Sequence, residues 1–127
     1  MNEVIQRFGS NPHRLALLAG LQRAIAVLSA AGCAAIFLDG SFVTDKEFPE
    51  DYDVCWHAPG VVAALLDPVL LDMVFPRTAQ KLKYRGEFLP AHFTAESVPP
   101  FRRFIDYFQT DEDTGKPKGI VGIKLRP

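Results

Sequence analysis

The stretch Cys33–Leu38 constrains this chain more than any other: it is an unbroken apolar run, with glycine before it at 32 and after it at 40. A run that is short and apolar on both faces suits a strand covered on both sides. Upstream, Ser10, Asn11 and Pro12 form a helix-start signal, a capping side chain with proline at an early helical position. Leu15, Leu18, Leu21, Ile25 and Leu28 recur at three- and four-residue spacing. The spacing predicts a helix through Ala31, with Arg14, Gln22 and Arg23 off its apolar stripe and Gly32 ending it in a left-handed conformation. Residues 1–10 read as a lead-in segment.

After Asp39-Gly40-Ser41, residues 42–50 read as a connection with one helical turn. From Asp51 to Trp56 the two aspartates fall on one face and Tyr52, Val54 and Trp56 on the other, which predicts a second strand. Further on, Val61–Leu66 reads as helical. A helix opens at Pro76 and ends at Gly86, and Glu87–Phe93 is a third strand. Phe101, Phe104, Ile105 and Phe108 make a helical stripe. Thr114–Pro117 is a turn, and Gly119–Leu125 is a last strand with Val121, Ile123 and Leu125 on one face. The expected product is one domain over residues 1–127, of α+β class: a central mixed sheet of about four strands packed with helices.

Composition narrows the possible functions. The chain has 127 residues, 48% of them hydrophobic, which suits one domain with a core of its own. Fourteen basic residues against 15 acidic ones leave a net charge of −1, and this argues against binding nucleic acid through bulk charge. Cys33 and Cys55 have no zinc-type spacing and lie in apolar runs, so they read as small buried hydrophobes. No leader-like apolar segment and no run near the roughly 20 residues of a membrane span is visible, so the expected address is the cytoplasm and no membrane partner is expected. Ten phenylalanines is a generous number, enough to supply a core and an exposed partner-binding patch near Arg102-Arg103.

The pattern that carries chemistry is Gly40-Ser41, a connection, then Asp51-Tyr52-Asp53. Side chains two apart on a strand share a face, with α-carbons about 7 Å apart. Two carboxylates so placed repel unless a cation joins them, and they supply the hard oxygens that magnesium takes. A glycine turn directly after a buried strand lets backbone amides approach an anion, and Ser41 adds a hydroxyl. A phosphate cradle beside metal ligands is what phosphoryl-type transfer requires.

The segment LDGSFVTDKEFPEDYDVCW resembles the G-S…D-x-D signature of the DNA polymerase β-like nucleotidyltransferase superfamily in its small single-domain form. The tail FIDYFQTDEDTGKPKGIVGIKL is similar to that of small uncharacterised bacterial members. The resemblance implies a nucleotidyltransferase-like fold. It gives Gly40 and Ser41 contacts to the phosphates of ATP or another nucleoside triphosphate, and gives Asp51 and Asp53 magnesium binding. It implies transfer of a nucleotidyl group to a hydroxyl on a protein or nucleic acid. It also implies a toxin-like protein partner, with this chain as the antitoxin-type member of a toxin–antitoxin module. A third carboxylate is expected on a later strand, where Glu87 stands. Phe42, Val43 and Thr44 follow Ser41 where members often carry a basic residue. The alternative is a fold of this kind with weak or lost chemistry, serving to hold a partner protein. Asp39 reads as a cap for the turn amides, and Lys116 and Lys118 as turn lysines within reach of a phosphate. His13, His57 and His92 have no nucleophile motif beside them.

Overall fold

The computed structural model describes residues 1–111 and 113–126. In chain order the elements are α1 (Asn2–Phe8), α2 (Pro12–Ala30), β1 (Ala35–Asp39), β2 (Tyr52–Trp56), α3 (Thr78–Tyr84), β3 (Gly86–Pro90), α4 (Phe104–Phe108) and β4 (Val121–Lys124). Single 3₁₀ turns lie at Ser41–Val43, Ala63–Leu65 and Pro68–Leu71. The strands form one mixed sheet in the order β3-β2-β1-β4. β1 pairs antiparallel with β2 and β4, and β2 pairs parallel with β3. The architecture is α+β, with helices packed on a four-stranded mixed sheet. No described helix is long and apolar enough to cross a membrane.

The two faces of the sheet differ. Ile36, Leu38, Tyr52, Val54, Trp56, Phe88 and Ile123 point into the main core, against Leu17, Leu18, Leu21, Ala24 and Leu28 of α2. The alternate residues Cys55 and Leu89 join Phe108 of α4 in a smaller cluster on the opposite face, with Phe37 at its edge. Cys33 and Cys55 are free and buried, as expected.

Helix α2 starts where Asn11 and Pro12 predict. The Asn11 side chain accepts from the Arg14 amide at 2.8 Å. Gly32 ends the helix region at φ 101°, and a Cβ there would meet the Gly60 carbonyl at 2.5 Å. Leu18, Leu21 and Leu28 of the expected stripe are buried and Ile25 packs on the core, but the buried face is wider on one side and loses Leu15. Leu15 is 46% exposed, whereas Leu17 and Ala24 are fully buried. Arg14, expected off the stripe, is only 2% exposed. Burial of a guanidinium is tolerated here because four backbone carbonyls surround it, as described below.

Other boundaries moved for identifiable reasons. The lead-in segment is helix α1, whose Val4 and Phe8 join the core; seven residues are too few to show a period and too few to hold a helix without packing. Val61–Leu66 yields only the turn at Ala63–Leu65. Helix α3 ends at Tyr84 as expected but starts at Thr78 and not at Pro76, and its left-handed cap is Arg85, φ 68°, where Gly86 was expected. Gly86 instead opens β3 and lies flat on the Tyr52 ring, where a Cβ would come within 2.3 Å of a ring carbon. The third strand stops at Pro90. Phe101 adopts φ 56° and stays outside α4, and it is 53% exposed.

Candidate functional site

The sheet register builds the site. On the α4 side, Phe37, Cys55 and Leu89 lie next to one another across β1, β2 and β3, and form an apolar row. Two residues along each strand, Asp39, Asp53 and Glu87 form a second row in the same register. Partners on neighbouring strands have side chains about 5 Å apart, so the three carboxylates stand side by side on one face. The apolar row lies under α4, while Asp39 and Asp53 of the acidic row border an open cleft of about 340 Å³ and Glu87 borders a second cleft beside it. Asp39, Gly40, Asp53, Tyr107, Asp111 and Lys118 are among the walls of the first.

Gly40 makes this arrangement possible. Its φ of 89° turns the chain out of β1, and a Cβ at this position would stand 2.7 Å from Asp53 Oδ2. The carboxylate therefore lies directly against the bend. Phe42 anchors the other end of the turn, fully buried and stacked between Phe8 and Tyr52 at centroid distances of 5.8 and 6.2 Å. That burial accounts for an aromatic residue directly after Ser41: the side chain points into the core. The cleft wall includes Gly40 but not Ser41, which is half-buried at the start of the 3₁₀ turn.

Arg14 holds the segment after the bend. Its guanidinium donates to the carbonyls of Phe8, Phe42, Thr44 and Lys46, at 2.6 Å for Phe42 and 2.9 Å for Thr44. It also lies over the Phe42 ring, 5.0 Å from the centroid.

The charges are tightly coupled. Burial raises the Asp53 carboxyl to about 8, helped by a hydrogen bond with Glu87 and by the charges of Glu87, Asp51 and Asp39. A raised value implies that Asp53 holds a proton at neutral pH unless a cation joins it. Asp51 is raised as well, first by burial and then by Glu87. Three basic side chains offset the remaining charge. Lys118 Nζ is 3.3 Å from Asp39, Arg77 Nη1 is 3.0 Å from Glu87, and Lys81 lies 3.8 Å from both Asp51 and Glu87.

The residues expected from sequence are thus brought together unequally. Asp53, Glu87 and Gly40 meet, and Glu87 does begin the next strand beside Asp53. Asp51 precedes β2 and reaches the row through Lys81. Asp39, expected to cap the turn, faces Asp53 across the ladder and pairs with Lys118. Arg77, Lys81, Tyr107 and Asp111 had no signal in sequence, since the first two come from α3 and the others from the segment around α4. His57 and His92 border an apolar cleft lined also by Phe37, Ala91 and Ile105. His13 Nε2 lies 2.5 Å from the Pro49 carbonyl.

Hard carboxylate oxygens are the donor set that magnesium prefers. Among the described residues, no group of three or more His, Cys, Asp or Glu side chains is arranged to hold a metal ion. As they stand, Asp39 and Glu87 are turned to basic partners. Asp53, buried, raised and pressed against a glycine bend, is the position whose chemistry best fits a cation.

No curated protein and no solved structure matches the chain. A family model covers residues 1–124, and the chain accordingly belongs to DUF6932, a family of unknown function.

Proposed function

We propose that this chain is a nucleotidyltransferase-type protein that uses magnesium and a nucleoside triphosphate such as ATP to modify a hydroxyl group on a protein or nucleic acid. The observation that carries the reading is the Asp39–Asp53–Glu87 row against the Gly40 bend, with Asp39 and Asp53 on one open cleft and Glu87 on the cleft that adjoins it. Asp53 would hold the cation, with Asp51 and Asp39 beside it. Bound there, magnesium supplies charge neutralisation for the phosphates and for the departing pyrophosphate. Gly40 lines the approach of the triphosphate with Ser41 next to it at the start of the turn, and Lys118 offers a counter-charge once released from Asp39. Glu87 accepts the proton of the attacking hydroxyl, and Arg77 and Lys81 hold its carboxylate in place. Most of the rate gain in such a site comes from positioning and from charges fixed in advance. The resemblance noted in the sequence adds a toxin-like protein as partner, with this chain in the antitoxin role.

A second reading keeps the fold as a protein-binding module. It is favoured by the existing neutralisation of Asp39 and Glu87 by lysine and arginine, and by the exposure of Val74 and Phe75 at 77% and 78%. Titration of labelled ATP with and without magnesium separates the two. Transfer chemistry requires magnesium-dependent binding that weakens at least about tenfold in Asp53→Asn, equal to about 1.4 kcal/mol. Binding that ignores the substitution, or none at any magnesium concentration, leaves the binding module standing.

A further inference from the structure

A second cleft, of about 280 Å³, adjoins the first and shares Asp53, Tyr107 and Phe108 with it. Its character is different. Phe75, Phe104, Tyr107 and Leu89 make it largely apolar and aromatic, and Arg77 and Glu87 stand at its side. Arg77 lies over the Phe75 ring, 5.7 Å from the centroid. One of its terminal nitrogens is on Glu87, yet its Nε is buried and, among the described residues, has no hydrogen-bond partner.

We propose that this aromatic cleft is a ring-binding subsite, which takes the base of a nucleotide whose phosphates lie in the neighbouring polar cleft. The proposal rests on the nucleotide reading above and extends it to the part of the substrate that does not react. Three observations converge on it. The two clefts meet at Asp53, so one ligand can span them. Phe75, with Arg77 over one face of its ring, and Phe104 put aromatic surface on the cleft wall, and stacking on such surface is tolerant of base identity. The Arg77 guanidinium at the cleft wall favours a ring with an acceptor on its edge, which nucleobases carry and a benzene ring does not. A planar group seated there also covers Phe75, whose side chain is otherwise 78% exposed.

Equilibrium dialysis with three probes in magnesium buffer tests this: ATP, adenosine and inorganic tripolyphosphate. The variants are Phe75→Ala, at an exposed position that the fold does not need, and Arg77→Lys, which keeps a cation for Glu87 but lacks Nε. The expected result is that Phe75→Ala weakens ATP and adenosine about tenfold and leaves tripolyphosphate unchanged, with the same pattern at smaller size for Arg77→Lys. Wild-type affinity for ATP in both variants overturns the subsite, and if tripolyphosphate still binds, the phosphate reading survives it. Adenosine binding that depends on Phe75, without tripolyphosphate binding, keeps the subsite and removes the transfer reading. Failure of all three probes removes both.

Discussion

Asp53 illustrates how burial among like charges makes one side chain a structural burden. It is desolvated, hydrogen-bonded to Glu87 and flanked by two further carboxylates, which together raise it from 3.8 to about 8. The folded state therefore holds this proton more tightly than the unfolded chain does. The stability that results is complete below about pH 4 and is lost as pH rises through about 8. Asp53→Asn removes the titration while keeping the shape. It should be close to neutral in a melt at pH 4 and melt several degrees above wild type at pH 9. A wild-type stability that rises from pH 5 to pH 9 would contradict the assigned burial.

The bend between β1 and β2 depends on an element far from it in sequence. Arg14 lies in the first turn of α2, and its guanidinium ties the carbonyls of Phe42, Thr44 and Lys46 to the end of α1 at Phe8. An arginine fork can satisfy several acceptors at once, which a lysine cannot. Arg14→Ala should cost at least about 3 kcal/mol, because buried carbonyls lose their donors and a cavity is left. Amide exchange at residues 42–46 should accelerate more than exchange in β3. Arg14→Lys should recover less than half of the lost stability. If Arg14→Ala melts within a degree or two of wild type, the segment is held by something else. A similar dependence fixes the other side of the site: Gln80 of α3 donates to the carbonyls of Leu70 and Phe88 and accepts from the Phe88 amide at 2.7 Å, so α3 carries Arg77 and Lys81 to the edge of β3.

For the molecule as a whole, the tail closes both the sheet and the cleft. β4 covers the free edge of β1 through the pairs Ile36–Ile123 and Leu38–Val121, and Lys118 reaches Asp39 on the way. A chain ending at Thr110 would expose the backbone of an apolar central strand and leave Asp39 without its partner. Such an edge is a template for intermolecular pairing. The truncated chain should elute as aggregate in size-exclusion chromatography, while the full chain elutes as a discrete species. A monomeric truncated form with the full-length Tm would show that β4 is dispensable.

Local chemistry was enough to read α2 with its Asn11 cap, the strands around Cys33–Leu38 and Asp51–Trp56, the turn at Gly40, and Glu87 on the next strand, because each has a period or a turn residue within a few positions. The α+β class followed from that order of elements. The role of Asp39, the buried Arg14, the short helix α1 and the basic residues Arg77, Lys81 and Lys118 around the carboxylates were not legible. Those depend on strand register and on packing between segments tens of residues apart. Register aligns Asp39, Asp53 and Glu87, and nothing within the span of a strand or a helical turn encodes which strand lies beside which.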